Sequence, residues 1–132
     1  MTDLECLNQY RSKARESKAL ETAIDHLVEL MGPQALAART GTRGTNEPKY
    51  AHLQHLDTFR TQFEENRASM EALRPQLERI MLRAPNRRNR AILMEYYGFG
   101  AKNDDIALAV GLSPRHIRRI CEEFTRELVN EA

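Results

Sequence analysis

The sequence predicts an all-α protein, with a long N-terminal helical hairpin or coiled coil followed by a compact three-helix unit. Three observations carry that expectation. Apolar residues from Leu56 to Ile80 alternate by 3 and 4 without a slip, the spacing of a helix that keeps one stripe toward a partner. Glycine and Ser-Pro punctuation near residues 111–114 separates two further apolar stripes of helical period. Composition agrees: aromatics are only 6%, Trp is absent and 30% of residues are charged, which suits helices better than a sandwich. A chain of 132 residues allows one compact domain, or a small domain with an extended arm.

In chain order, Leu20, Ile24, Leu27 and Met31 form the first stripe, and Leu4, Leu7 and Tyr10 extend it upstream. This helix is expected to stop at Gly32-Pro33, and the turn-rich stretch from Gly41 to Pro48 to form a flexible loop. Arg39 and Arg43 near that loop are more simply solvated than DNA-bound. A long helix starts at Tyr50. Its seam is Leu56, Phe59, Phe63, Asn66, Met70, Leu73, Leu77 and Ile80, with Asn66 the lone polar member, suited to fixing register. Pro75 removes a backbone donor and predicts a kink or break near Arg74. The seam can close on residues 1–31 or on another chain. The small intramolecular core favours a homodimer, with Leu56, Phe59, Phe63, Asn66, Met70, Leu73 and Leu77 as its oligomerisation residues. Residues 1–81 are thus expected to be a helical association region with a flexible loop near 32–48, and residues 82–132 a separate domain.

That domain opens with Asn86 as a helix start and Gly98 as a stop, with Ile92, Leu93, Tyr96 and Tyr97 packing over the next two helices. Asn103 is the expected N-cap of a short helix, with Asp104 and Asp105 in its first turn complementing the helix dipole. Ile106, Ala107 and Val110 form its apolar stripe, and Ala107 is the small residue a close helix crossing requires. Gly111 supplies the positive φ at its end, and Leu112 plugs the turn. Ser113 then caps a final helix whose first residue is Pro114. Ile117, Ile120, Cys121, Phe124 and Leu128 make the buried face of that helix, leaving Arg115, Arg118 and Arg119 opposite.

A helix held by its apolar back, with guanidinium groups on its free N-terminal face, suits a DNA major groove, so residues 82–132 predict a helix-turn-helix DNA-binding domain. Charge is distributed to match. The whole chain is +1, but residues 83–120 hold eight Lys/Arg against three acids, a net +5, while residues 1–82 are −1. Arg115, Arg118 and Arg119 are the expected base-reading residues, and Ser113, His116, Lys102 and Arg88 the expected phosphate contacts.

The run from Arg90 through Ile92, Leu93, Tyr96 and Tyr97, then Asp105-Ile106-Ala107, Val110-Gly111-Leu112-Ser113 and Ile117, resembles region 4 of sigma-70-type factors. It is similar to the small phage late-gene transcription activators of the RinA and ArpU kind, which also carry a long helical N-terminal part. The likeness is specific over about residues 82–129 and architectural before that. It implies a sequence-specific transcription regulator, phage or prophage-encoded, with double-stranded DNA and RNA polymerase as partners. No sigma region 2 precedes the module, so a complete sigma factor is not expected.

Other classes find less support. The N-terminus lacks a basic-then-apolar stretch and no run reaches membrane-spanning length, so a cytoplasmic protein with no membrane partner is expected. Cys6 and Cys121 stand far apart without ligand spacing. His52 and His55 share a helix face, but nothing completes a zinc site, and no phosphate loop or nucleophile motif occurs. Neither metal, cofactor nor catalysis is expected. The competing reading is a DNA-packaging recognition protein of the terminase small-subunit type. A third is a module that binds RNA polymerase with little affinity for DNA.

Overall fold

The computed structural model describes residues 1–37 and 47–131; residues 38–46, which include Arg39, Arg43 and most of the expected flexible loop, lie outside them. The described chain is all-α. Its helices are α1 (Asp3–Ala37), α2 (Glu47–Met81), α3 (Arg87–Leu93), α4 (Asn103–Val110) and α5 (Pro114–Glu131). Met94–Gly98 prolongs α3 as one wide turn, in which Phe99 N–H donates to Met94 O at 3.0 Å.

The long helices follow their stripes. α1 is interrupted at Gly32 (φ 73°, ψ 163°), where the sequence expects a stop, because only glycine enters that backbone region without strain. α2 begins at Glu47, three residues before the expected Tyr50. It also passes through Pro75 as one helix, so of the kink or break expected near Arg74 the break does not occur. Pro75 is exposed, so its ring stands in solvent, and the seam on the buried face continues across it.

The chain divides into two compact units: residues 1–15 with 69–132, and residues 16–68. The first differs from the division expected at residues 81/82, and apolar burial gives the reason. Cys6, Leu7 and Tyr10 of α1, Leu77, Ile80 and Met81 of α2, and Leu93, Tyr97, Cys121, Phe124 and Leu128 share one core cluster. Met70 and Leu73 flank it. The C-terminal helices thus bury part of their apolar surface on the first turns of α1 and the last turns of α2. A second cluster, Ile92, Ile106, Ala107, Ile117 and Ile120, holds α3, α4 and α5 to one another, with Leu112 of the turn packed against it.

In the second unit the seam meets α1 through Asn66, whose amide donates to Ser17 Oγ at 2.6 Å. Leu56 is fully buried and Phe59 and Phe63 half-buried. Of the seven residues expected to bind a second copy, three are packed by the chain itself: Leu56 and Leu77 are 0% and 1% exposed and Asn66 is 7% exposed in a single protomer. A side chain already removed from water gains nothing from a second copy, so these three positions need none, while Phe59, Phe63, Met70 and Leu73 stay half-buried.

Candidate nucleic-acid interface

Local capping sets up the α4–α5 pair. Gly111 adopts φ 75°, ψ 29°, and its N–H and that of Leu112 both donate to Ala107 O, at 2.9 and 3.1 Å. Ser113 then caps α5: its Oγ accepts from His116 N–H at 3.2 Å and its carbonyl from Ile117 N–H at 3.1 Å. Pro114 is the first helical residue, as the sequence indicates. Asn86 caps α3 as expected, its Oδ1 accepting from Asn89 N–H at 2.8 Å.

Two details of α4 depart from expectation. The N-cap is Lys102, whose carbonyl accepts from Ile106 N–H, and Asn103 is the first helical residue. Asn103 Oδ1 is buried without a partner among the described residues, so it caps nothing. Val110 is 38% exposed rather than part of the buried stripe, which Ile106 and Ala107 form alone. Leu108 points fully outward at 87% exposure.

All five residues expected on the buried face of α5, from Ile117 to Leu128, are buried. Arg115, Arg118 and Arg119 are exposed on the other side. Among the described residues they make no ion pair or hydrogen bond, and the first turn of α5 contains no acid. Three uncompensated guanidinium groups beside the positive end of a helix dipole attract anions. His116 is half-buried on the same first turn. Ser113 shares that end of α5, and its hydroxyl, already accepting from a backbone N–H, retains a proton to donate. Lys102 is exposed at the start of α4. Arg88 is exposed on α3, with only a long contact of 3.5 Å to Asn89 Oδ1. The structure thus gathers Arg115, His116, Arg118 and Arg119 on the first two turns of α5 with Ser113 at its cap, and puts Lys102 at the cap of α4 and Arg88 on α3.

Two further arginines belong to this surface or support it, and the sequence pattern did not single them out. Arg126 is exposed on the Arg115–Arg119 face two helical turns further along, a signal present in the spacing. Arg11, in α1, donates through Nη1 to Tyr96 O and to Ala101 O (3.0 Å), and its guanidinium carbon sits 3.6 Å from the Tyr96 ring centroid. No local pattern marks it, because its partners lie 85 and 90 residues away.

The two thiols and the Tyr97 phenol are buried, whereas His52 is half-buried and His55 exposed. Burial pushes the Cys121 thiol up to about 11, with Glu122 adding and Arg11 opposing. Burial likewise raises Cys6, with Asp3 adding, and lifts the Tyr97 phenol above its usual range. Such thiols are poor nucleophiles and poor ligands. Among the described residues no cluster of three His, Cys, Asp or Glu could hold a metal, and no helix is long and apolar enough to cross a membrane. Scans against protein-family models, curated proteins and solved structures return no match to this chain.

Proposed function

We propose that the chain is a sequence-specific DNA-binding transcription regulator, phage or prophage-encoded, in which α4 and α5 act as a helix-turn-helix. The observation that carries the reading is the unpaired Arg115–Arg118–Arg119 face on a helix capped at Ser113 and buried along its back. In this reading α5 enters the major groove, Arg115 or Arg119 contacts a guanine edge, and the N-terminal end of α5 meets phosphate. Ser113, His116, Lys102 and Arg88 supply the phosphate contacts, which fix register without reading sequence. The likeness of residues 82–129 to region 4 of sigma-70-type factors supports the same role.

Selection of bound duplexes from a random DNA pool, followed by titration at several salt concentrations, tests it. An enriched motif is expected, with affinity falling linearly in log–log form as salt rises. Replacing Arg115 or Arg119 by alanine should cost about 1–3 kcal/mol on the motif and relax preference at one base pair. No enrichment, together with no binding at low salt, would sink the proposal. Assembly into a large ring would instead favour the DNA-packaging reading.

A further inference from the structure

We infer that Arg11 is a positioning residue for the reading helices, fixing the linker from α3 to α4 and, through it, the pose of α5. The inference rests on the DNA-reading proposal for its functional half, while its structural half can be measured without DNA. The linker begins in an unusual way. Because Met94–Gly98 is a wide turn, Phe99 N–H reaches Met94 O and Ala101 N–H reaches Glu95 O at 2.9 Å, a closure made possible by Gly100 at φ 68°. Neither bond uses Tyr96 O. A carbonyl at the negative end of a helix, turned toward the core, needs a donor, and a guanidinium is a strong one there.

Arg11 does more than satisfy that carbonyl. The same Nη1 also takes Ala101 O, the residue just before the Lys102 cap of α4. One group thus ties the end of the α3 extension to the beginning of α4 and sets the angle between them. The guanidinium lies over Tyr96, which packs against both core clusters, so the clamp cannot slide without disturbing both. Gly100 completes the fit from the other side. A Cβ there would stand 2.8 Å from Arg15 Cγ and 3.2 Å from Arg15 N, so the linker lies directly on the backbone of α1. From Lys102 onward, α4, the Gly111 turn and α5 form one packed piece, and rotating its start moves the Arg115 face with it.

The test uses the full chain with Arg11→Met, which keeps an apolar stem and removes the donors, and Arg11→Lys, which keeps charge but not the planar fork. Hydrogen exchange at residues 99–106 is read against amides around Leu77 in α2. In Arg11→Met the linker should exchange about tenfold faster, the size of losing one charge-assisted hydrogen bond, with the α2 amides changed far less. Affinity for the selected DNA motif should fall by a similar factor, while affinity for scrambled DNA and the salt slope stay as in the unmodified protein. Arg11→Lys should recover part of both. Unchanged linker exchange overturns the clamp. A loosened linker with unchanged motif selectivity overturns the positioning role, as does an equal loss on both DNAs. Should Arg11→Met not fold, the lysine variant decides: full selectivity with a single ammonium would also overturn it. An unmodified protein that binds no DNA defeats the DNA-reading proposal instead, and the exchange arm then stands by itself.

Discussion

The α4–α5 pair and the long helices α1 and α2 hold their positions by different means. Within the pair, the bonds that set direction span three to five residues: Gly111 and Leu112 to Ala107, and His116 and Ile117 to Ser113. Along the long helices, the fixed points join residues far apart, as in the 49-residue separation of Asn66 and Ser17 or the shared core of Leu7 and Ile80. Short-range caps cost little loop entropy and name their partners in advance. A heptad stripe specifies only that some apolar surface must face it. The difference teaches that a clear local motif need not be an independent domain: the pair is locally defined, yet Cys121, Phe124 and Leu128 on the back of α5 share a core with residues 6–10 and 77–84.

The strongest way to break the comparison is to cut the chain. An isolated fragment of residues 82–132 keeps every cap but loses Cys6, Leu7, Tyr10, Leu77, Ile80 and Met81 from its core. Each such side chain contributes about 1.5–3 kcal/mol of burial, together comparable to the ~5–15 kcal/mol that holds a small domain. The fragment should show no cooperative melt by circular dichroism, and a sharp transition would restore the boundary near residue 81.

A smaller cut at the same junction is Leu77→Glu, which puts a carboxylate where exposure is 1%. A loss on the order of 4 kcal/mol or more is expected, because no partner offsets the buried charge. In the unmodified protein the denaturation midpoint should not change with protein concentration, since Leu56, Asn66 and Leu77 are already buried without a second copy. A midpoint that climbs with concentration would return the seam to an intermolecular role.

Ala107→Leu probes the local side. Ala107 is 4% exposed among Ile106, Ile117 and Ile120, so overpacking should cost about 1–3 kcal/mol in thermal unfolding. A variant that melts with the unmodified protein would mean that the two helices are not closely apposed at that residue.

The smallest expected effect is alkaline. Cys121 is raised to about 11 in the folded chain, so its thiol stays neutral where the unfolded thiol ionises. Its stabilisation is complete below the ordinary thiol value and is lost as pH climbs toward 11. Cys6 and Tyr97 shift in the same direction. Denaturant midpoints should decline above about pH 9, and less steeply in Cys121→Ala. An equal slope in both proteins would assign the decline to other groups.

The sequence by itself determined the helical class, the Gly32 interruption, the Asn86 and Ser113 caps, the positive φ of Gly111 and the five buried positions of α5. Each depends on residues within a turn or two, where conformational preference and periodicity act directly. It misplaced two such details of α4: Val110, which stays 38% exposed, and the cap, because Lys102 contributes there through its backbone and leaves no side-chain signal. Only the tertiary structure decided which surface meets the Leu56–Ile80 seam, that residues 1–15 join the C-terminal unit, and that Arg11 bridges Tyr96 and Ala101. Those depend on which distant groups the folded chain brings together, and an apolar stripe or an arginine carries no address for its partner.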